Sequence, residues 1–255
     1  MTEVKAKKFL GQHFLMDESI ARRIVGSLST DARGVLEIGP GMGVLTKYLI
    51  ERPGTDFHVI EIDRESVVYL NSHFSGLHVI EGDFLKYDLN LLFSEPFAII
   101  GNFPYNISSQ ILFKVFDNRD IVTEVVGMFQ KEVAERVAAN PGSKTYGILS
   151  VLLSAFYNIE YLFTVHENVF NPPPKVKSAV IRLTRNSVTS LECDEKLFIQ
   201  VVKAGFNQRR KTLRNALRQL GLSLDAVPQE LLCSRAEQLS VNEFITITKL
   251  LQECL

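Results

Sequence analysis

Between residues 35 and 46 the chain reads Val-Leu-Glu-Ile-Gly-Pro-Gly-Met-Gly-Val-Leu-Thr. An apolar run that ends in glycines and resumes as a helical pattern to about Ile50 describes a strand, a tight turn and a helix. Glycines let the backbone approach a ligand closely, and a helix start offers amide donors. The spacing Glu37-x-Gly39-x-Gly41-x-Gly43 differs from the Gly-x-Gly-x-x-Gly of dinucleotide binders. An acid just before the glycines suits a nucleoside that carries methionine and no pyrophosphate. Its carboxylate is expected to organise the loop and, through water, an amino group.

The same unit then recurs. Phe57–Ile60 reads as a strand ending in Glu61-Ile62-Asp63, and Leu77–Ile80 as one ending in Glu81-Gly82-Asp83-Phe84. Phe97–Ile100 runs into Gly101-Asn102-Phe103-Pro104-Tyr105-Asn106-Ile107-Ser108, ahead of a helical pattern near Ser109. Strands alternating with helices predict an α/β fold whose ligands bind at the carboxyl ends of the strands. Glu61 lies one βαβ unit after the glycine turn, where a carboxylate takes both ribose hydroxyls. Asp83 can accept from an adenine amine, and Phe84 can wall the ring. Each acid taken singly reads more readily as a solvated loop charge than as a ligand contact; their order along successive strand ends reverses that and favours a site. Asn102 suits attack by an exocyclic amine, whose lone pair is delocalised into its ring. The Asn102 side-chain oxygen and a neighbouring backbone carbonyl, that of Phe103, can accept both amine hydrogens and localise the pair. Tyr105 can stack on the base, and Pro104 stiffens the turn.

At 255 residues the chain suits one large domain and a small appendage. No apolar run is long enough to span a bilayer, and Met1–Lys5 carries no signal-peptide pattern. Three scattered cysteines, Cys193, Cys233 and Cys254, show no metal spacing and suit a reducing cytoplasm. A net charge of −1 does not decide for or against nucleic acid, so the local charge distribution must. Lys5, Lys7 and Lys8 precede an apolar turn, and Asp17 is expected to cap a helix running to about Leu28. Phe9, Phe14 and Leu15 are too apolar for a free tail.

Taken together, the residues resemble a family: the bacterial small-subunit ribosomal RNA adenine dimethyltransferases, whose loss gives kasugamycin resistance. The resemblance spans the chain. It rests on Lys8-Phe9-Leu10-Gly11-Gln12-His13-Phe14-Leu15, Glu37-Ile38-Gly39-Pro40-Gly41, Gly101 to Ser108, Gln130-Lys131-Glu132-Val133, Phe170-Asn171-Pro172-Pro173-Pro174-Lys175-Val176 and Phe206-Asn207-Gln208-Arg209-Arg210-Lys211-Thr212. It implies a Rossmann-like class I methyltransferase sheet with helices on both faces and a small all-α C-terminal domain. It also implies S-adenosylmethionine as cofactor, 16S rRNA in an assembling 30S subunit as partner, no metal and a monomer. The expected division is 1–185 for catalysis, with 1–30 packing over the cofactor, and 186–255 for rRNA binding. His13 and Leu15 are expected to close the methionine end, with Gly39 and Gly41 beneath it. Glu61 should hold the ribose, Asp83 and Phe84 the adenine, and Asn102 the methionine end and the target amine. Tyr105 and Phe170 should sandwich the target base. The family usually has Asn where His13 stands and Leu or Ile where Phe103 stands.

Further strands are expected at Val125–Phe129, Ile159–Val165 and Ser178–Thr184. Helices are expected from the end of the first of these, after Phe129, to about Ala139, over Tyr146–Tyr157, and then over Asp194–Phe206, Arg209–Leu220 and Val241–Glu253. Arg209, Arg210 and Lys211 lie in an acid-free stretch from Lys203 to Arg218, a candidate phosphate-tracking surface. The rivals are a 23S rRNA adenine methyltransferase of the macrolide-resistance type, a DNA adenine methyltransferase, and a non-catalytic RNA-binding assembly factor. The Pro172–Lys175 loop and the Phe206–Thr212 stretch favour the small-subunit reading. About 70 helical residues make a poor DNA-recognition domain, and intact Glu61, Asp83, Asn102 and Tyr105 disfavour a catalytically dead protein.

Overall fold

The computed structural model describes residues 4–253; Met1–Glu3, Cys254 and Leu255 lie outside them. Contact clustering separates two compact units. The first comprises residues 1–134 and 159–185, the second residues 135–158 and 186–255.

In the first unit, β1 (Phe14–Leu15) and α1 (Glu18–Gly26) lead into β2 (Gly34–Ile38) and α2 (Thr46–Leu49). There follow β3 (Asp56–Glu61), α3 (Arg64–His73), β4 (His78–Glu81), β5 (Phe97–Asn102), α4 (Ser108–Asp117) and β6 (Val122–Gln130). After α5 (Lys131–Val137) and α6 (Ile148–Ser154) come β7 (Tyr157–Val165), β8 (Phe170–Asn171) and β9 (Ser178–Arg185); α5 and β7 cross the border between the units. The main sheet has the order β4-β3-β2-β5-β6-β9-β7. Its first five strands are parallel, and β9 runs antiparallel to β6. Every residue of β2 is buried, as expected for a central parallel strand covered on both faces. The order reverses at β2, which lies between β3 and β5. The register sets Ile38 beside Ile60 and Glu61 beside Glu81, so the carboxyl ends of β2, β3 and β4 are level at that switch point. Asp17 caps α1 as expected, accepting from the Ser19 and Ile20 amides.

The expected helix after the glycine turn is only four residues long, because residues 41–45 form successive turns first. The pair β1–β8 was not expected; it joins Phe14 to Asn171 and Leu15 to Phe170.

The second unit is helical: α6, α7 (Glu195–Asn207), α8 (Leu213–Leu217), α9 (Gln229–Cys233) and α10 (Val241–Gln252). The expected division at residue 185 falls on one unit border, but residues 135–158 also cluster with these helices. Leu149 through Leu153 are all buried, and a helix apolar all round needs cover on every side; α7 and α10 both pack against it. Ser240 and Glu243 form the expected capping box of α10. The helix expected to begin at Arg209 begins at Leu213. Thr212 precedes it in extended backbone, and residues 208–211 form a turn closed by the Lys211 amide on the Gln208 carbonyl at 2.8 Å. Among the described residues no helix is long and apolar enough to cross a membrane.

Candidate active site

One cavity opens at the carboxyl ends of β2, β3, β4 and β5. His13, Gly39, Gly41 and Glu61 line it, together with Asp83, Phe84 and the run Asn102–Tyr105. Leu15 does not; it lies in the core and lines an adjoining hollow with Glu37 and Asn102.

The glycines are there for conformation and room. Gly39 and Gly41 adopt φ of 65° and 56°, and a Cβ on Gly41 would stand 2.8 Å from the Phe14 ring. Their amides are occupied within the protein. Gly39 donates to the Ile60 carbonyl at 2.9 Å, and Gly41 to the Glu61 carboxylate at 3.1 Å. The other Glu61 oxygen accepts the Asp63 amide at 2.8 Å. Glu61 is 4% exposed, and burial raises its pKa above the ordinary range. Beyond these amide partners the carboxylate retains acceptor capacity toward the cavity.

Glu37 lies behind the turn, fully buried, and accepts the Thr46 hydroxyl at 2.6 Å. Burial pushes its pKa up to about 8 from 4.5, and the nearby Glu61 charge adds to the rise. The folded protein therefore holds a proton that the unfolded chain releases. The associated stability is complete below pH 4.5 and is lost as the pH rises to about 8. Glu37→Gln, which cannot ionise, should melt increasingly above the wild type across that window; a constant offset in thermal denaturation from pH 4.5 to 8 would contradict this.

Asn102 donates its Nδ2 to the backbone carbonyl of His13 at 2.9 Å. That bond fixes the amide's orientation and leaves Oδ1 as an acceptor. His13 thus serves Asn102 through its main chain, so the exchange of Asn for His leaves this support intact. The His13 ring bonds the Pro172 carbonyl through Nδ1 at 2.7 Å and stacks on Tyr105, with centroids 5.4 Å apart. Tyr105 is further held by a hydrogen bond between its hydroxyl and that of Ser178. Phe103 is buried, its amide on the Met128 carbonyl at 3.1 Å and its ring edge-on to Phe129.

Asp83 accepts the Leu85 amide at 2.9 Å, which shapes the turn after β4. Lys114 on α4 donates to the Leu85 and Tyr87 carbonyls at 3.1 and 2.5 Å and lies over the Phe84 ring at 5.2 Å. The N-terminal strap is fastened too: Asp63 accepts from Lys7 at 2.5 Å and from Gln12 at 3.3 Å. Lys114 and Ser178 were not singled out from sequence; Lys7 entered only as one of three basic residues, and Gln12 and Asp63 only as members of longer runs. Asp63 carried one signal, an Asp directly ahead of a helical run, and it caps α3 by accepting the Glu65 amide.

Two further expected placements differ. Phe170 is 4% exposed and packs in the core beside Leu15, so the ring facing Tyr105 is that of His13. Arg209, in the helical unit, donates to the Ser143 and Lys144 carbonyls at 3.4 and 2.6 Å and pairs with Glu237 at 3.9 Å. Its guanidinium pins a loop. Arg210 and Lys211 are exposed.

The family model for ribosomal RNA adenine dimethylases matches residues 3–253. The chain belongs to that family. This adenine dimethylase is 60% identical over 255 residues to the ribosomal RNA small subunit methyltransferase A of Cytophaga hutchinsonii, covering 98% of this chain and 99% of that one. Among solved structures it resembles a dimethyladenosine transferase from Plasmodium falciparum, with 27% identity, TM-score 0.77, and 92% and 96% of the two chains covered. It also resembles the 23S rRNA methyltransferase ErmE, with 26% identity, TM-score 0.69, and 92% and 99% covered. The fold is therefore shared by both rRNA classes; the far higher identity to the small-subunit enzyme separates them.

Proposed function

We propose that the chain transfers methyl groups from S-adenosylmethionine to the N6 amines of two adjacent adenosines in a loop near the 3′ end of 16S rRNA. It would act as a cytoplasmic monomer on an assembling 30S subunit. The observation that carries this reading is the Asn102 amide, locked by the His13 carbonyl so that Oδ1 is presented as an acceptor. Beside it stands Tyr105, an aromatic ring suited to a splayed-out base.

The cavity suits the cofactor. Glu61 keeps acceptor capacity in a buried position, and Ile62 beside it remains 53% exposed, an apolar surface that an adenosine would cover. Glu61 would hold the ribose hydroxyls, while Asp83 and Phe84 would hold the adenine. The buried Glu37 would sense the amino group. When bound, S-adenosylmethionine supplies an electrophilic sulfonium methyl. The protein's part is positioning. Asn102 Oδ1 and the Phe103 carbonyl accept the amine hydrogens, Tyr105 stacks on the base, and the amine proton passes to water. Arg210 and Lys211 would follow phosphates. Phe170 would join Tyr105 around the base only if its ring left the core.

The test is methyl transfer from labelled S-adenosylmethionine to undermethylated 30S subunits, beside naked 16S rRNA, 50S subunits and duplex DNA. N6,N6-dimethyladenosine from the 30S material supports the proposal. Label confined to 23S rRNA, or to DNA, overturns the substrate; no label with cofactor still bound leaves the fold and removes the reaction.

A further inference from the structure

Asp63 has more partners than helix capping requires. Its side chain is 1% exposed. Oδ1 accepts Lys7 Nζ at 2.5 Å and the Glu65 amide at 3.2 Å; Oδ2 accepts Gln12 Nε2 at 3.3 Å and the Ser66 hydroxyl at 3.2 Å. The Glu65 amide bond caps α3 by itself, with the Ser66 hydroxyl bonded beside it. The other two come from the N-terminal strap, whose residues Leu10 to His13 line the cavity. Lys7 closes the strap on itself by donating its amide to Gln12 Oε1 at 2.8 Å, and its ammonium also reaches Glu65 at 3.1 Å. On the other side, the Asp63 amide donates to Glu61, which in turn accepts the Gly41 amide. One chain of hydrogen bonds thus runs from strap to ribose acid to glycine turn.

We propose that Lys7 and Gln12 are a latch: positioning residues that, through Asp63, hold the strap closed over the bound cofactor and set how fast spent cofactor leaves. The proposal rests on the S-adenosylmethionine reading of this cavity. A buried carboxylate needs a cation or several donors, and Lys7 supplies the cation. Four methyl transfers to two adenosines consume four cofactors, so the strap must release between rounds. The Lys7 side chain is 25% exposed, so water can reach the bond that has to break.

The test is the dissociation rate of S-adenosylhomocysteine from the full chain, measured by stopped-flow displacement without RNA. Lys7→Met keeps the aliphatic stem and loses the charge; release should quicken about tenfold, the scale of one charge-assisted hydrogen bond. Lys7→Arg should restore release to within about twofold of the wild type, which a merely structural loss would not produce. Asp63→Asn should match Lys7→Met, and the double variant should be no faster than either single one. Wild-type release from Lys7→Met, or additive effects in the double variant, would overturn the latch. A wild type that binds no S-adenosylhomocysteine would instead overturn the cofactor reading beneath it.

Discussion

Asn102→Ala is expected to lower the rate of methyl transfer about a thousandfold, the usual scale for removing one preorganised group aimed at the reacting atoms. The adenine amine is a poor nucleophile until its hydrogens are accepted, and Ala accepts none. Asn102→Asp should fare no better, although it keeps an oxygen. Its carboxylate would lie where Nδ2 now donates, 2.9 Å from the His13 carbonyl, so two acceptors would face each other. The strap would shift to relieve that contact. Single-turnover measurement of labelled methyl transfer separates the chemistry from binding. Asn102→Ala turnover within about tenfold of the wild type would remove Asn102 from the reaction.

Gly127→Ala is expected to disable the same site from beneath. Gly127 pairs with Gly101 in the β5–β6 register, and the Phe103 ring rests on both. A Cβ at 127 would lie 2.3 Å from the Phe103 ring and 2.5 Å from that of Phe129. Both rings are fully buried, so neither can step aside freely. Overpacking of this kind costs about 1–3 kcal/mol, or several degrees in melting temperature. The catalytic loss should exceed that, because the Phe103 backbone must move and Asn102 and Pro104 are its neighbours. Adding Phe103→Leu, which removes the ring that the new Cβ meets, should return much of both stability and methyl transfer. A Gly127→Ala protein with full activity would show that the loop tolerates displacement of its buried ring.

Strands β2 to β5 were legible because each is a short apolar run closed by an acid or a glycine turn, and local pattern decides such elements. Asp17 and the Ser240–Glu243 box announced their helices for the same reason. Pairing across long separations was not legible. Two-residue strands such as Phe14–Leu15 and Phe170–Asn171 carry no periodicity, so only the folded chain shows that they meet. Arg209 illustrates a second limit. Composition marks a cation but not its partners, and this one is occupied by backbone carbonyls. The gathering of Asn102, Glu61 and Asp83 on one cavity followed from strand order. The latch on Asp63 did not, because it depends on a lysine 56 residues away.

The placement of β9 between β6 and β7 has a consequence for synthesis. A ribosome delivers β6 and then β7, yet β7 has no neighbour in the sheet until residues 178–185 emerge. Until then β6 presents an unpaired edge along residues 124–130, the segment later matched to β9. The helical unit waits as well, since α6 is made long before α7 and α10, against which it packs. Each nascent copy therefore passes through a stage with an open sheet edge and an uncovered apolar helix. Truncation just short of residue 178 should yield an aggregating product rather than a smaller folded one.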